Sequence, residues 1–257
     1  MADVSEFQEN IDARTYISSG HSCLLVRAHN GWRADHKWPA RRAYLRRYPF
    51  TCLGFYQYLV SSRDAAQQAR EFIDCVGALR ENEFVVLDLE EGAGNQIARA
   101  EAWFAVVDGW WGHRATLYSG LSFCRDHLGG WERWKRPRWL AAYQSAEPRD
   151  QHELWQYTDS ARFNGLDGAV DGNIYRGTQE RFCAVFTQHD TPVAPSPPNV
   201  SEARRSAQSS VCVLKRSGER ELFVETRAGV VWHRWTKNGR WTSSWSSLGL
   251  PPDADDR

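Results

Sequence analysis

The sequence predicts an α/β protein: an irregular, TIM-like (β/α) barrel of five βα units and then three strands, plus a small all-β C-terminal module. Three observations carry this. Over the first 186 residues, short apolar runs alternate with stretches of helical periodicity. The later runs are separated by about ten residues, too few for a full crossover helix. After Phe186 the chain turns rich in Pro and Ser, and beyond that stretch it reads as strands alone.

Eight strands are expected in the barrel. They lie at 2–5 (ADVS), 22–28 (SCLLVRA), 51–59 (TCLGFYQYL), 84–90 (FVVLDLE), 115–118 (ATLY), 138–143 (RWLAAY), 153–157 (ELWQY) and 168–171 (GAVD). Ser61 or Ser62 caps a helix running to about Leu79, with Ala65, Ala69, Phe72, Ile73 and Val76 on one apolar face. Asn95 starts a second helix to about Trp110, and Ser122 a short one to Leu128. Two segments stand apart. Residues 29–48 are strongly basic and contain Trp, and 129–139 hold three Trp and several Arg. Each is either a lid over the barrel mouth or ordinary helix and loop with Trp packed under Arg.

Past the barrel (1–186), residues 187–208 read as a linker. Residues 209–250 read as a β-module built from VCVLKRS, ELFVETR, VVWHRWTK and RWTSSWSSL, with turn signals between them, and 251–257 as a tail.

Composition narrows the function. The chain has 257 residues and its 32 basic residues balance 32 acidic ones. Without excess Lys and Arg, generic binding to nucleic acid or an anionic membrane is disfavoured. A mean hydropathy of -0.61 excludes a transmembrane protein, and 42% hydrophobic residues exclude a wholly disordered one. The six cysteines form no CxxC pair and read as small buried hydrophobes kept reduced; the eight histidines form no HExxH. No metal and no cofactor is expected. The thirteen Trp suit deep core packing or platforms for sugar rings. The opening MADVSEFQEN carries charges where a signal peptide would be apolar, so synthesis in the cytoplasm is expected.

Four carboxylates fall at expected strand ends: Asp3, Asp88, Glu90 and Asp171. A parallel barrel gathers its chemistry at the C-terminal ends of its strands. Asp88 and Glu90, two apart on one strand, share a face with Cα atoms about 7 Å apart. Charges facing a barrel interior cost free energy unless paired or used, and crowded carboxylates keep one another protonated. Glycosidic cleavage needs that state: one carboxyl to protonate the leaving oxygen and one carboxylate against developing positive charge. Singly each acid reads as a turn, surface or hydrogen-bonding residue. Jointly they converge on one mouth.

The ordered motifs resemble the lysozymes of glycoside hydrolase family 25. The match runs through Asp3-Val4-Ser5 and Gln8, Arg27-Ala28, Gly54-Phe55-Tyr56, Asp88 with Glu90, and Tyr118-Ser119-Gly120. It continues through Trp139, Ala141 and Tyr143, then Trp155-Gln156-Tyr157, and Val170, Asp171 and Asn173. The resemblance implies hydrolysis of the β-1,4 bond between N-acetylmuramic acid and N-acetylglucosamine in peptidoglycan. It implies Glu90 as general acid, Asp88 orienting or polarising the substrate, and Asp3 and Asp171 completing a negative floor. Tyr56, Tyr118, Trp139, Tyr143 and Arg27 are the expected substrate-binding residues. With no leader expected, the resemblance points to a bacteriophage endolysin. A host autolysin and a non-catalytic wall-binding protein are the alternatives. The DxxDxDxE run of family 18 chitinases is absent.

The C-terminal run resembles one blade of the sialidase-like or fucose-lectin-like β-propellers. The matching residues are Phe223, Val224, Gly229, Val231, Trp232, His233, Arg234 and Trp235, then Trp241, Trp245, Leu248 and Gly249. This implies wall-carbohydrate binding. A lone blade cannot bury a core, so it is expected to dock on its own barrel or to assemble as a homo-oligomer, with self-association favoured.

Overall fold

The computed structural model describes residues 1–187 and, beyond them, the strand residues 207–214, 220–226, 231–237, 240–241 and 246–249. The chain divides into two compact units, Met1–Asp190 and Thr191–Arg257.

In the first unit eight strands close a barrel in sequence order. Five βα units come first: β1 (Ala2–Val4) and α1 (Ala13–Ser18), β2 (Cys23–His29) and α2 (Trp38–Leu45), β3 (Cys52–Tyr58) and α3 (Ala65–Val76), β4 (Glu83–Asp88) and α4 (Ile97–Trp111), β5 (Thr116–Gly120) and α5 (Leu121–His127). Then β6 (Arg138–Ala141), β7 (Leu154–Ala161) and β8 (Val170–Tyr175) follow without helices between them, and α6 (Gln179–Phe186) closes the unit. Strands β1 to β7 run parallel to one another.

The last strand corrects the expectation. It begins at Val170 instead of ending near Asp171, and runs antiparallel to both β7 and β1. The short β7–β8 connection permits only a hairpin return. Because β8 is reversed, its start lies at the mouth where β1 to β7 end. Asp171 still reaches that mouth, opposite Asp3 in the ladder.

Alternation along the strands splits the apolar residues into two layers. Leu24, Val26, Val85 and Leu87 pack outward in one cluster with Phe72, Ile73 and Val76 of α3 and Trp103 and Phe104 of α4. Leu25, Tyr56, Phe84, Val86, Tyr118, Trp139 and Leu154 form the other cluster, inside the barrel. Gly54 makes room there: a Cβ at this position would sit 2.6 Å from the Phe84 ring. Helix α6 seals the barrel floor. Its Phe182 and Phe186 rings stack at 4.5 Å, and Phe186 lies 5.2 Å from Phe84.

The helices refine the expected bounds. Helix α3 is capped by Asp64, whose carboxylate accepts from Gln67 N at 2.7 Å, and not by Ser61 or Ser62. It ends at Val76, before Gly77 at φ +61°. The basic segment 29–48 contains α2, with Trp38 buried and its indole N–H donating to Cys75 O at 3.0 Å. Trp131, Trp134 and Trp139 are buried as well. In both segments, then, Trp mostly serves the core; Trp32 alone of these stays on the surface.

The second unit contains an antiparallel sheet ordered β12-β11-β10-β9, with β13 also pairing β11. Its strands are β9 (Ala207–Leu214), β10 (Arg220–Thr226), β11 (Val231–Lys237), β12 (Arg240–Trp241) and β13 (Ser246–Gly249). The fourth expected run is therefore two short strands. Residues 188–206, most of the expected linker, and the tail 251–257 lie outside the described residues, as does Trp245. Among the described residues, no helix is long and apolar enough to cross a membrane.

Candidate active site

The inward row of β4 is Phe84, Val86, Asp88. It climbs from an apolar floor to a carboxylate at the mouth. The strand ends at Asp88, yet the alternation continues one step: Leu89 is buried, its N–H bonded to Tyr118 O at 3.1 Å, and Glu90 emerges into solvent. Asp88 and Glu90 thus have different settings. Asp88 is buried and its Oδ1 has no hydrogen-bond partner. Glu90 borders a groove of 420 Å³ lined also by Tyr118, Leu121, Phe123, Tyr143 and Gln144.

Asp3 and Asp171 are held by an amide layer. Asp3 Oδ2 accepts from Asn173 Nδ2 at 2.7 Å and from Gln156 Nε2 at 3.1 Å. The same Gln156 nitrogen lies 3.3 Å from Asp171 Oδ2. Behind the amides stand the aromatics. Gln156 Oε1 accepts from the Tyr118 hydroxyl at 2.9 Å and the Tyr143 hydroxyl at 3.0 Å. Asn173 Oδ1 accepts from Trp139 Nε1 at 2.6 Å. Each amide therefore has its oxygen claimed by a donor and its nitrogen turned to the carboxylates, which fixes both orientations.

The four acids all titrate above the ordinary carboxylate range. Burial is the first cause in each case. The neighbouring charge comes next for three: Asp171 for Asp3, Glu90 for Asp88, and Asp171 for Glu90. For Asp171 the hydrogen bond to Asp3 works in the opposite direction. Glu90 is exposed as a residue, but its carboxyl end is crowded against the cluster. The outcome is a set of acids that holds protons more tightly than free carboxyls, with one member facing a groove.

The expected substrate-binding residues divide by exposure. Tyr143 is 56% exposed and lines the groove, so it can offer a ring face to a sugar. Tyr118 lines the same groove with little exposed area. Tyr56 is buried inside the barrel, its ring 6.0 Å from Trp139. Trp139 corrects the expectation: at 1% exposure it presents no surface to a sugar, and its indole serves to hold Asn173. Arg27 is clamped by Asp35, with Nε at 3.0 and 2.9 Å from the two carboxylate oxygens. Its charge opposes the upward shift of Asp88.

Gln156 and Asn173 belonged to recognised motifs, but sequence assigned them no role. They are ladder partners on β7 and β8. An available signal was a polar amide on each of two adjacent strands at the inward phase. Among the described residues, no group of three or more His, Cys, Asp or Glu is placed to hold a metal ion.

This arrangement coincides with a known family. The model of glycosyl hydrolases family 25 matches residues 2–166. The chain belongs to that family. It is a glycoside hydrolase. The protein YegX of Escherichia coli strain K12 is 28% identical over 194 residues, covering 71% of each chain. A bacterial lysozyme from Streptomyces coelicolor superposes with a TM-score of 0.63 at 23% identity, covering 72% of this chain and 95% of that one. The catalytic domain of endolysin ply40, from bacteriophage P40 of Listeria monocytogenes, gives 0.63 at 23%, covering 71% and 95%. The modular autolysin LytC of Streptococcus pneumoniae, solved with a synthetic peptidoglycan ligand, gives 0.61 at 20%, covering 68% and 46%.

Proposed function

We propose that this glycoside hydrolase is a peptidoglycan muramidase, cleaving the β-1,4 bond between N-acetylmuramic acid and N-acetylglucosamine. The observation that carries the reading is Glu90: a carboxyl with a raised pKa, facing an open groove, beside three further acids. In this reading Glu90, in its protonated form, gives its proton to the glycosidic oxygen as the bond breaks. Asp88, directly behind it, orients the substrate and stabilises positive charge at the sugar carbon. Asp3 and Asp171 keep the floor negative, and the Gln156–Asn173 layer holds them in place. Tyr143 and Tyr118 form the wall of the sugar groove, and Arg27 limits the cost of ionising Asp88.

A lytic endolysin role is supported by the likeness to the Listeria phage catalytic domain, and an autolytic role by the likeness to LytC. We take the endolysin reading, with synthesis in the cytoplasm, action on the host wall and a C-terminal sheet that binds wall carbohydrate. Purified peptidoglycan digested with the enzyme should release fragments with new reducing ends on muramic acid, read by mass spectrometry. New ends on glucosamine, or free peptides, would overturn the muramidase reading. Intact wall with bound protein would establish the non-catalytic alternative.

A further inference from the structure

The barrel floor holds a group of thiols that the chemistry at the mouth does not use. Cys23 and Cys52 stand opposite one another at the start of β2 and β3. Cys183, on α6, comes down onto the same spot: its thiol lies 3.5 Å from Thr51 O, beside Cys52, and packs against the inner cluster that holds Cys23 and Cys52. Cys23 is also near enough to feel the charge of Cys183. Contact here is held from several sides. Gln179 of α6 bonds to Ser22 and Thr51, and Phe182 and Phe186 pack on Phe84. By contrast Cys75 and Cys124 belong to the outer layer of the barrel.

We propose that Cys52 and Cys183 are a disulfide-forming pair that fastens α6 to the barrel floor when the protein meets a low-molecular-weight disulfide. Access sets the order of events. Cys52 is fully buried, while Cys183 is partly exposed. The Cys183 thiolate attacks one sulfur of the oxidant, forms a mixed disulfide and expels one thiolate. Cys52 then loses its proton and attacks Cys183 Sγ, releasing the second thiol. Two thiols of the protein become one disulfide, and the oxidant takes up two electrons and two protons as two thiols. The interaction between the two thiols lowers the pKa of Cys183 to about 7 and raises that of Cys52, so Cys183 is the thiol that ionises first. Burial holds Cys23 up at about 11, although it lines a floor pocket of 330 Å³ through which a small oxidant could approach it. Cys23 is therefore the competing nucleophile by position and the weaker one by chemistry.

Such a link joins residues distant in sequence, so it constrains the unfolded chain strongly. The full-length protein should be incubated with glutathione disulfide at mildly alkaline pH, blocked with N-ethylmaleimide, digested and analysed by mass. The expected product is a Cys52–Cys183 linked peptide. The Tm should rise by about 5–10 °C over the reduced protein and return with dithiothreitol. Cys183→Ser should lack both the link and the rise, while Cys23→Ser should keep both. A persistent glutathione adduct on Cys183, or a link through Cys23, would overturn the pairing. A Cys52–Cys183 link that leaves Tm unchanged would overturn the fastening of α6.

Discussion

Glu90 and Asp88 lie on consecutive inward positions of one strand and its extension, but only Glu90 meets the groove. A proton donor must touch both a reservoir and the leaving oxygen, so exposure selects Glu90 for that task. Glu90→Gln keeps the shape and removes the proton, and should cut wall hydrolysis by roughly 10²–10⁴-fold. The same variant has a stability signature. The folded pKa of Glu90 lies above its ordinary value of 4.5, so the native state binds more protons than the unfolded state between the two values. Stability therefore falls as pH rises through that window, and the cost is complete above the folded pKa. Gln carries no such cost. Glu90→Gln should melt higher than the parent at pH above that window, with the gap closing at pH below about 4. A lysis rate near the parent's would remove Glu90 from the donor role, and a lower Tm at every pH would contradict the crowded setting. At this scale the acids were legible in the sequence because strand alternation places them on one side. Gln156 and Asn173 were not, because an amide's importance lies in which atoms it bonds across strands.

Elements were legible where periodicity is strong and obscured where tertiary packing decides. The barrel strands and α3 to α5 follow from apolar spacing. Helix α2 does not, since its residues include two adjacent arginines and its placement depends on single anchors, among them Trp38 on Cys75 and Arg41 on the carbonyls of Ser5 and Gln8. The reversal of β8 shows only in how short its connection is. Local capping was also misplaced: two serines precede α3, but the carboxylate that bonds Gln67 N belongs to Asp64. Asp64→Ala should destabilise the protein by about 0.5–2 kcal/mol, while Ser62→Ala should stay within about 0.5 kcal/mol of the parent. Urea midpoints at unchanged slope measure both. Equal losses at the two positions would mean the helix start is set by packing and not by its cap.

The whole molecule joins a barrel large enough to bury its own core to a second unit whose described residues form a small antiparallel sheet. Sheets of this size need one face covered to be stable. A copy of the same sheet is one such cover, and the glycan surface of a wall is another. The two act together if several sheets assemble, because linked weak sites on a repetitive polymer gain avidity without any new contact. Light scattering tests the first cover: a mass above the monomer for the full chain, with a monomer for a chain ending at Thr187, would establish self-assembly through the sheet. Co-sedimentation with purified walls, using the Glu90→Gln background to prevent digestion, should show weaker retention of the shortened chain. Monomers in both cases would eliminate self-assembly and leave docking on the chain's own barrel or a lone wall-binding sheet. Equal retention would eliminate the sheet as a wall binder, and the barrel groove would then carry all the affinity for peptidoglycan.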